Sequence, residues 1–175
     1  MKYRSITLSG PIASGTTTAA KTLSKKYNLQ FHYAGDFFRQ YMKDHNIPLF
    51  DKSKIPDNLD EQIDDELTTL TASNKPVIID AHYIGYFTRN MPHTLRVRFV
   101  CDDSERFKRA QSRPEAERET SDIIKKREKG LDSKFRKLYA NEDFLDPKFF
   151  NLTVDTTHTT PQEVVDIISK KFEEE

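Results

Sequence analysis

The chain has 175 residues, 35% of them hydrophobic, and its 28 Lys and Arg residues balance 28 Asp and Glu residues, so its formal net charge at pH 7 is zero. This length suits one domain spanning residues 1–175, and proteins that grip nucleic-acid phosphates usually carry a basic excess that this chain lacks. Its apolar runs fall short of the ~18–20 residues of a membrane helix, so we expect a cytoplasmic monomer with no membrane partner and no stable nucleic-acid binding.

Short β-branched runs alternate with longer helical patterns along the chain, as in βαβ units built on a buried parallel sheet. The predicted strands are 6–8, 30–33, 77–79, 97–101 and 152–154. The predicted helices are 17–27, 36–45, 59–71, 104–111, 121–139 and 161–172. The pattern therefore predicts an α/β fold with a five-stranded parallel sheet flanked by helices in three layers.

The first predicted strand runs into a glycine-bounded loop and then into a helix. The loop matches the phosphate-loop pattern G-x-x-x-x-G-K-[ST] at every fixed position except the lysine, where Thr16 stands. Its two glycines let successive backbone N–H groups turn inward around an anion, at the positive end of the helix. We expect the phosphates of ATP to be held by Gly10, Ala13, Ser14, Gly15, Thr16, Thr17 and Thr18.

The missing lysine removes the ammonium that ordinarily follows charge on the β- and γ-phosphates into the transition state. Losing one such contact typically lowers the rate by ~10²–10³-fold. Either another cation replaces it, or catalysis is weak. A strand-to-helix turn that binds no ligand is a further interpretation of this loop.

The predicted helix 59–71 is amphipathic. Apolar side chains recur on one face at Leu59, Ile63, Leu67 and Leu70. The pattern leaves the acids Glu61, Asp64, Asp65 and Glu66 for solvent.

The predicted strand that follows this helix ends in an acid, Asp80. A carboxylate at the end of a buried strand beside a phosphate loop is well placed to hold Mg²⁺, directly or through water. Thr17 stands at the Ser/Thr position of the phosphate-loop pattern, whose hydroxyl binds the same Mg²⁺ ion. The sequence thus predicts a magnesium site at Thr17 and Asp80, although many strands end in Asp for purely structural reasons.

Basic residues concentrate in segment 106–137, which holds twelve Lys and Arg residues against six acids. Such clustering makes a local positive surface that attracts anionic substrates. Arg109, Arg113 and Arg127 are the candidate catalytic cations, because guanidinium groups bind phosphate oxygens in pairs. Solvated helices with neighbouring opposite charges are the alternative interpretation of this basic segment.

Near the end of the chain, Thr160 and Glu163 predict a capping box that starts the last helix.

Taken together, these pieces resemble the cytidylate kinase family, especially its short archaeal members, within the phosphate-loop nucleoside monophosphate kinases. The likeness rests on the loop at 10–18, the stretch 33–39 (similar to the family's A-G-D-x-F-R), the strand end at 80–85, the Arg-rich segment from 104, the stretches 126–128 and 135–139, and the pair 152–156 and 161–165.

The resemblance implies transfer of a phosphoryl group from ATP, with Mg²⁺, to a pyrimidine monophosphate, CMP or dCMP. By position, Asp36 would contact the acceptor nucleoside and Arg39 its phosphate. Helices within about 34–73 would cover the acceptor. Segment 109–137, with Arg109, Arg113 and Arg127, would form a helical lid over the reacting phosphates.

The chain departs from the family at three places. Thr16 replaces the loop lysine, Ala81-His82 replaces a Gly-Arg whose arginine holds the acceptor phosphate, and Lys134 stands where a lid arginine is expected, with Arg136 nearby. We assign His82, Lys134 and Arg136 to the acceptor side.

Two alternatives to a nucleotide kinase follow from these departures. A degenerate kinase fold would bind a nucleotide or another phosphorylated ligand with weak or no transfer. The string Asp80-Ala81-His82 also looks like the D-x-H of adenylate-kinase-like ATPases linked to ribosome assembly, in which that histidine belongs to the ATP site. A simple packing role for His82 is equally compatible with the sequence.

Overall fold

Five parallel strands form one sheet at the centre of the computed structural model, which describes residues 2–48 and 50–174. The strands are β1 (Ser5–Ser9), β2 (Gln30–Tyr33), β3 (Val77–Asp80), β4 (Thr94–Val100) and β5 (Leu152–Asp155). Their order across the sheet is β2-β3-β1-β4-β5, and every neighbouring pair is parallel. The predicted five-stranded parallel sheet is confirmed. Leu49, inside the segment expected to cover the acceptor, lies outside the described residues.

Helices connect the strands and cover both faces of the sheet. They are α1 (Thr16–Tyr27), α2 (Ala34–Asp44), α3 (Asp57–Ala72), α4 (Ile84–Phe87), α5 (Asp103–Gln111), α6 (Ser121–Leu138) and α7 (Pro161–Phe172), with short 3-10 turns at Lys52–Lys54, Glu115–Glu117 and Pro147–Phe149. The capping box at Thr160 and Glu163 is present at the start of α7. The single turn α4 is too short for a periodicity argument to predict. Within the described part of the chain, no helix combines the length and apolarity needed to cross a bilayer.

The inner strands β1 and β3 are buried on both faces because helices pack on each side, as parallel sheets require, whereas the edge strands β2 and β5 are only partly covered. On one face, Ile6 and Leu8 of β1 pack in a cluster with Leu23 of α1 and Ile168 of α7. A second cluster joins β3 to α3 and α4. A third is aromatic and lies around Phe144, which is fully buried. These clusters fix the sheet that positions the loops at its carboxyl edge.

The register of β1 and β3 places their following loops together. Leu8 pairs with Asp80, so the loop after β1 and the acid at the end of β3 meet at one edge of the sheet. The hydroxyl of Ser9 ties the two loops, donating to the Ala81 carbonyl at 3.3 Å and accepting from the Gly85 amide at 3.0 Å. Ligands of open α/β sheets bind at this carboxyl edge.

Candidate functional site

The loop after β1 needs both of its glycines. A Cβ atom on Gly10 would lie 2.8 Å from Cβ of Phe99 on β4 and 2.9 Å from Oγ of Ser14, so no side chain fits without moving the sheet. Gly15 has a φ of 100°, a left-handed value that glycine adopts without strain. Ala13 also has a positive φ, 65°. These torsions wrap the backbone into a concave turn ahead of α1.

The amino end of α1 presents its first amides without an acceptor from the part of the chain that the structure describes. Gly15 caps the helix without a side-chain hydrogen bond, and no acid lies in the first turn. The first N–H groups of a helix have no intrahelical acceptor and carry partial positive charge. Among the described residues, none accepts from the backbone amides of Thr16 and Thr17. This end of α1 is therefore free to bind an anion.

The apex of the loop is held from outside by an ion pair. The amide of Ile12 donates to Oε1 of Glu128 on α6 at 2.9 Å, and Nη1 of Arg106 on α5 donates to the Ile12 carbonyl at 3.2 Å. Arg106 and Glu128 also form two hydrogen bonds to each other, at 2.7 and 2.9 Å. Both polar groups of Ile12 are thus fixed by a partly buried charged pair, which ties the loop to α5 and α6.

Thr17 and Asp80 meet as the register predicts. Oγ1 of Thr17 donates to Oδ2 of Asp80 at 2.5 Å. Burial raises the pKa of Asp80 to about 6, while hydrogen bonds from Thr17 and Thr16 act in the opposite direction. A buried carboxylate next to a hydroxyl gains from a cation, because its own charge is poorly solvated.

A cavity of about 450 Å³ opens at this edge of the sheet. Of the residues predicted for the site, it is lined by Gly10, Ala13, Gly15, Thr16, Thr17, Thr18, Arg39, Asp80, His82, Arg109, Arg113 and Arg127. Residues as far as 117 positions apart in the chain, Gly10 and Arg127, thereby share one space. Its volume lies within the usual range for small-molecule sites, ~300–1,000 Å³.

Two of the cavity arginines share one buried acid. Glu119, whose side chain is 4% exposed, pairs with Arg113 at 3.3 Å and with Arg127 through a very short contact. Two guanidinium groups around one carboxylate leave a net positive charge beside the cavity. Sequence reasoning missed Glu119, because an acid inside a basic segment gives no signal of its own.

Arg109 lies between the main cavity and a smaller one of about 170 Å³. Its Nη2 donates to the Thr156 carbonyl at 2.5 Å, and its Nη1 lies 3.5 Å from Sγ of Cys101. The hydroxyl of Thr156 in turn donates to the Ser14 carbonyl at 2.8 Å. Ser14, predicted to bind phosphate, lines the smaller cavity rather than the larger.

His82 and Arg39 line the cavity on the side of β3 and α2. Burial, reinforced by the positive charges of Arg127, Arg106 and Lys52, lowers the pKa of His82 to about 3. The imidazole is therefore neutral at physiological pH. Arg39 pairs with Asp36 at 3.4 Å, but Asp36 is exposed and does not line the cavity.

The structure does not bring Lys134 and Arg136 to the cavity. Lys134 is buried and pairs with Asp60 at 2.5 Å, and Arg136 pairs with Asp132 on its own helix. The prediction that Asp64 faces solvent is wrong: it is 8% exposed and lines the cavity together with Lys52. Helical periodicity identifies the apolar face of a helix from its apolar residues. It therefore cannot show that a polar side chain on another face, such as Asp64, is also buried.

Comparisons with known proteins agree with this arrangement. A family model described as an AAA domain matches residues 6–131. The cytidylate kinase of Sulfolobus acidocaldarius is 33% identical over 167 residues, spanning 93% of this chain and 91% of that protein. The cytidylate kinase of Archaeoglobus fulgidus is 28% identical over 176 residues, spanning 96% and 94%. A solved gluconokinase from Sinorhizobium meliloti shares the fold, with a TM-score of 0.63, 17% identity and coverage of 95% and 90%.

Proposed function

The chain belongs to the AAA domain family and is a homologue of archaeal cytidylate kinases, and on this basis we propose that it transfers the γ-phosphoryl group of ATP to CMP or dCMP. One observation carries the proposal: the free helix end at the phosphate loop, the Thr17–Asp80 pair and three arginines line one cavity. Phosphoryl transfer needs positioned phosphates and positive charge around them, and no protein nucleophile.

The donor phosphates lie on the loop in this proposal. The amides of Gly15, Thr16 and Thr17 bind the β- and γ-phosphates, at the positive end of α1. The smaller cavity, between α1, Arg109 and the start of α7, takes the donor base. It is lined by Ala19, Phe99, Pro161 and Val164 besides polar groups. Apolar and guanidinium surfaces of this kind suit a flat aromatic ring.

Thr17 and Asp80 fit a magnesium ion. In the described part of the chain, no three His, Cys, Asp or Glu side chains group as a metal site. Mg²⁺ commonly takes only one or two carboxylate ligands from the protein and the rest from phosphates and water. Held with ATP at these two residues, such an ion would neutralise negative charge on the phosphates. Thr17 and Asp80 would supply oxygen ligands, and the cation would favour the ionised form of Asp80, whose pKa is raised by burial.

Arginines replace the charge of the missing loop lysine. Arg113 and Arg127 keep their pairing with Glu119 and direct their remaining N–H groups at the phosphate oxygens, and Arg109 covers the donor base. Segment 109–137 thus acts as the lid. On the acceptor side, Arg39 binds the phosphate group of the nucleoside monophosphate, and the neutral imidazole of His82 donates a hydrogen bond to the same phosphate. Asp36 holds Arg39 in place.

Phosphotransfer with a panel of nucleoside monophosphates, for the wild type and Thr16→Lys, tests the proposal. We expect wild-type turnover with CMP and dCMP, raised less than about 10-fold by Thr16→Lys, because other cations already serve the phosphates. If the wild type shows no phosphotransfer while Thr16→Lys is active, the protein is instead a degenerate kinase fold that binds phosphates without transferring them. ATP hydrolysis that needs no acceptor would identify an ATPase that uses His82.

Glu128→Ala tests the external hold on the loop. We expect KM for ATP to rise about 10-fold with a smaller change in kcat, because hydrogen bonds to charged groups contribute ~1.5–3 kcal/mol and this one fixes Ile12. Glu128→Gln keeps an acceptor for the Ile12 amide, so it should recover much of the loss. Lys129→Ala, an exposed change on the same helix, is the matched control. Wild-type ATP affinity in Glu128→Ala would exclude a positioning role.

A further inference from the structure

A cluster of three buried charges lies where α3, α6 and the 3-10 turn at Lys52–Lys54 meet. Asp60 of α3 is fully buried, with its Oδ1 2.6 Å from Nζ of Lys52 and its Oδ2 2.5 Å from Nζ of Lys134 on α6. Lys134 also donates to the carbonyl of Ile55, the residue that follows the turn. The side chains of both lysines are less than a tenth exposed.

Stability alone does not explain why these charges are buried. Removing charges from water offsets most of the attraction between them, so apolar side chains of similar volume are often as stable in such a place. A buried ion pair nevertheless holds its partners in one relative position, because a charge left without its partner is strongly destabilising. Here the partners belong to three separate elements. The cluster therefore fixes where α6 lies against α3 and the turn.

The helix α6 links this position to the phosphate loop. Arg127 lies seven residues before Lys134, which is two turns of helix, so both side chains are on one face of α6, about 10 Å apart along its axis. Glu128, next to Arg127, holds the apex of the loop through the Ile12 amide. The amino half of α6 thus carries groups of the active site, while Asp60 holds its carboxyl half.

The middle of α6 lies against the same 3-10 turn. A Cβ atom on Gly130 would lie 3.8 Å from Cβ of Lys52 and 3.9 Å from the carbonyl oxygen of Phe50, which are ordinary contact distances. A glycine inside a helix weakens it, so this outside support limits bending between the two halves. Because Lys52 is itself paired with Asp60, one acid fixes the helix at two points.

We propose that Asp60 and Lys134 are positioning residues for phosphoryl transfer: their pairing sets the position of α6 and thereby directs Arg127 at the transferring phosphate. This inference rests on the proposed function, in which Arg127 contacts the phosphates. Asp60 and Lys134 lie outside the lining of the main cavity and act through the helix. A displacement of about 1 Å is enough to matter, since misplacement of that size can lower a rate by ~10²-fold.

Lys134→Met tests the pairing and leaves Asp60 with Lys52 as its partner. Asp60→Asn would instead leave two buried ammonium groups without their carboxylate. We expect kcat of Lys134→Met to fall about 10-fold with a smaller change in either KM, because Arg127 acts on the transition state. The thermal midpoint should move by less than about 4 °C, since methionine fills a similar volume. A kcat equal to that of the wild type would overturn the inference.

Arg127→Ala supplies the readout that distinguishes positioning from a merely structural role. If Lys134 acts through Arg127, adding Lys134→Met to Arg127→Ala should lower kcat by less than about 2-fold instead of about 10-fold. Equal losses in the two backgrounds would overturn the inference while the proposed function stands. Lys137→Met is the matched control. It removes an exposed pair between the same two helices, Lys137 with Asp57 at 2.9 Å, and should leave kcat as in the wild type.

Hydrogen exchange of the ligand-free protein gives a comparison without turnover. We expect protection of the amides in segment 124–130 to fall about 10-fold in Lys134→Met and to stay unchanged in Lys137→Met. A loss confined to the residues around Lys134 would overturn the inference. If the wild type transfers no phosphoryl group to any nucleoside monophosphate, the proposed function is overturned. Protection lost over 124–130 would then still support the positioning of α6, and protection retained there would overturn it as well.

Discussion

Replacing Asp80 by asparagine is expected to lower kcat by about 10²–10³-fold, the typical effect of removing one electrostatic partner of the transition state. The same change should make the ligand-free protein more stable at pH 8. Both results have one physical cause. The carboxylate is buried beside Thr17 and forms no ion pair with any described residue, so a bound cation would balance a charge that the protein leaves largely uncompensated.

The stability gain of Asp80→Asn should depend on pH in a defined direction. Burial raises the pKa of Asp80 from its ordinary value near 4 to about 6. Below pH ~4 the group is protonated in both the folded and the unfolded chain, so the variant and the wild type should be equally stable. As pH rises to ~6 the unfolded chain ionises first, and wild-type stability falls by about 2–3 kcal/mol relative to the variant.

Urea unfolding at pH 4 and pH 8, together with a magnesium-dependent transfer assay, measures both effects. Asp166→Asn, an exposed change on α7, is the control for the loss of one carboxylate. A variant with wild-type kcat would remove Asp80 from the site. A stability difference that is the same at both pH values would mean that the carboxylate is not destabilised by its burial.

Arg127→Ala is expected to have the second large effect, about 10²-fold on kcat with a smaller change in KM for either nucleotide. The guanidinium lies in the cavity and is one of two that pair with buried Glu119. Without it the transferring phosphoryl group loses a cation that the loop, with Thr16 in place of lysine, does not replace. Arg113→Ala should act in the same direction.

Glu119 distinguishes a catalytic loss from a folding loss. Arg127→Ala leaves this buried acid with one partner, so we also expect the free energy of unfolding to fall by ~1–3 kcal/mol. In Arg127→Ala/Glu119→Gln the acid is gone, so stability should recover while kcat stays low. Lys129→Ala should change neither quantity. Recovery of kcat along with stability in the double variant would show that Arg127 acts only on the fold.

The sequence predicted the sheet because each strand is a short β-branched run between helical patterns, and that alternation indicates parallel strands, although it does not give their order across the sheet. It also predicted that Thr17 and Asp80 lie close together, from the phosphate-loop pattern and the acid that ends a strand. The structure supplies the reason, because β1 and β3 are neighbours and their carboxyl ends share an edge. The phosphate loop was recognisable without its lysine because the two glycines remain. The structure requires both, since Gly10 has no room for a side chain and Gly15 has a left-handed φ.

The polar residues beyond the loop were not predictable in the same way. In the sequence, Asp64 lies on the charged side of an amphipathic helix. Its burial becomes visible only in the structure, where Tyr139, the residue that follows α6, packs against α3 and donates a hydrogen bond to it. Lys134 was assigned from family position, whereas the structure engages it with Asp60, four residues before Asp64 on the same helix. Such pairings depend on how distant helices cross, which no local pattern records.

The sulfur beside Arg109 has a practical consequence. The chain contains one cysteine, Cys101, and it is half-buried next to the guanidinium that we propose covers the donor base. A thiol-reactive trifluoromethyl tag would therefore attach at a single position. Its fluorine resonance would shift with the ring current of an incoming purine, so titrations could follow occupancy of this end of the molecule in solution without isotopic labelling.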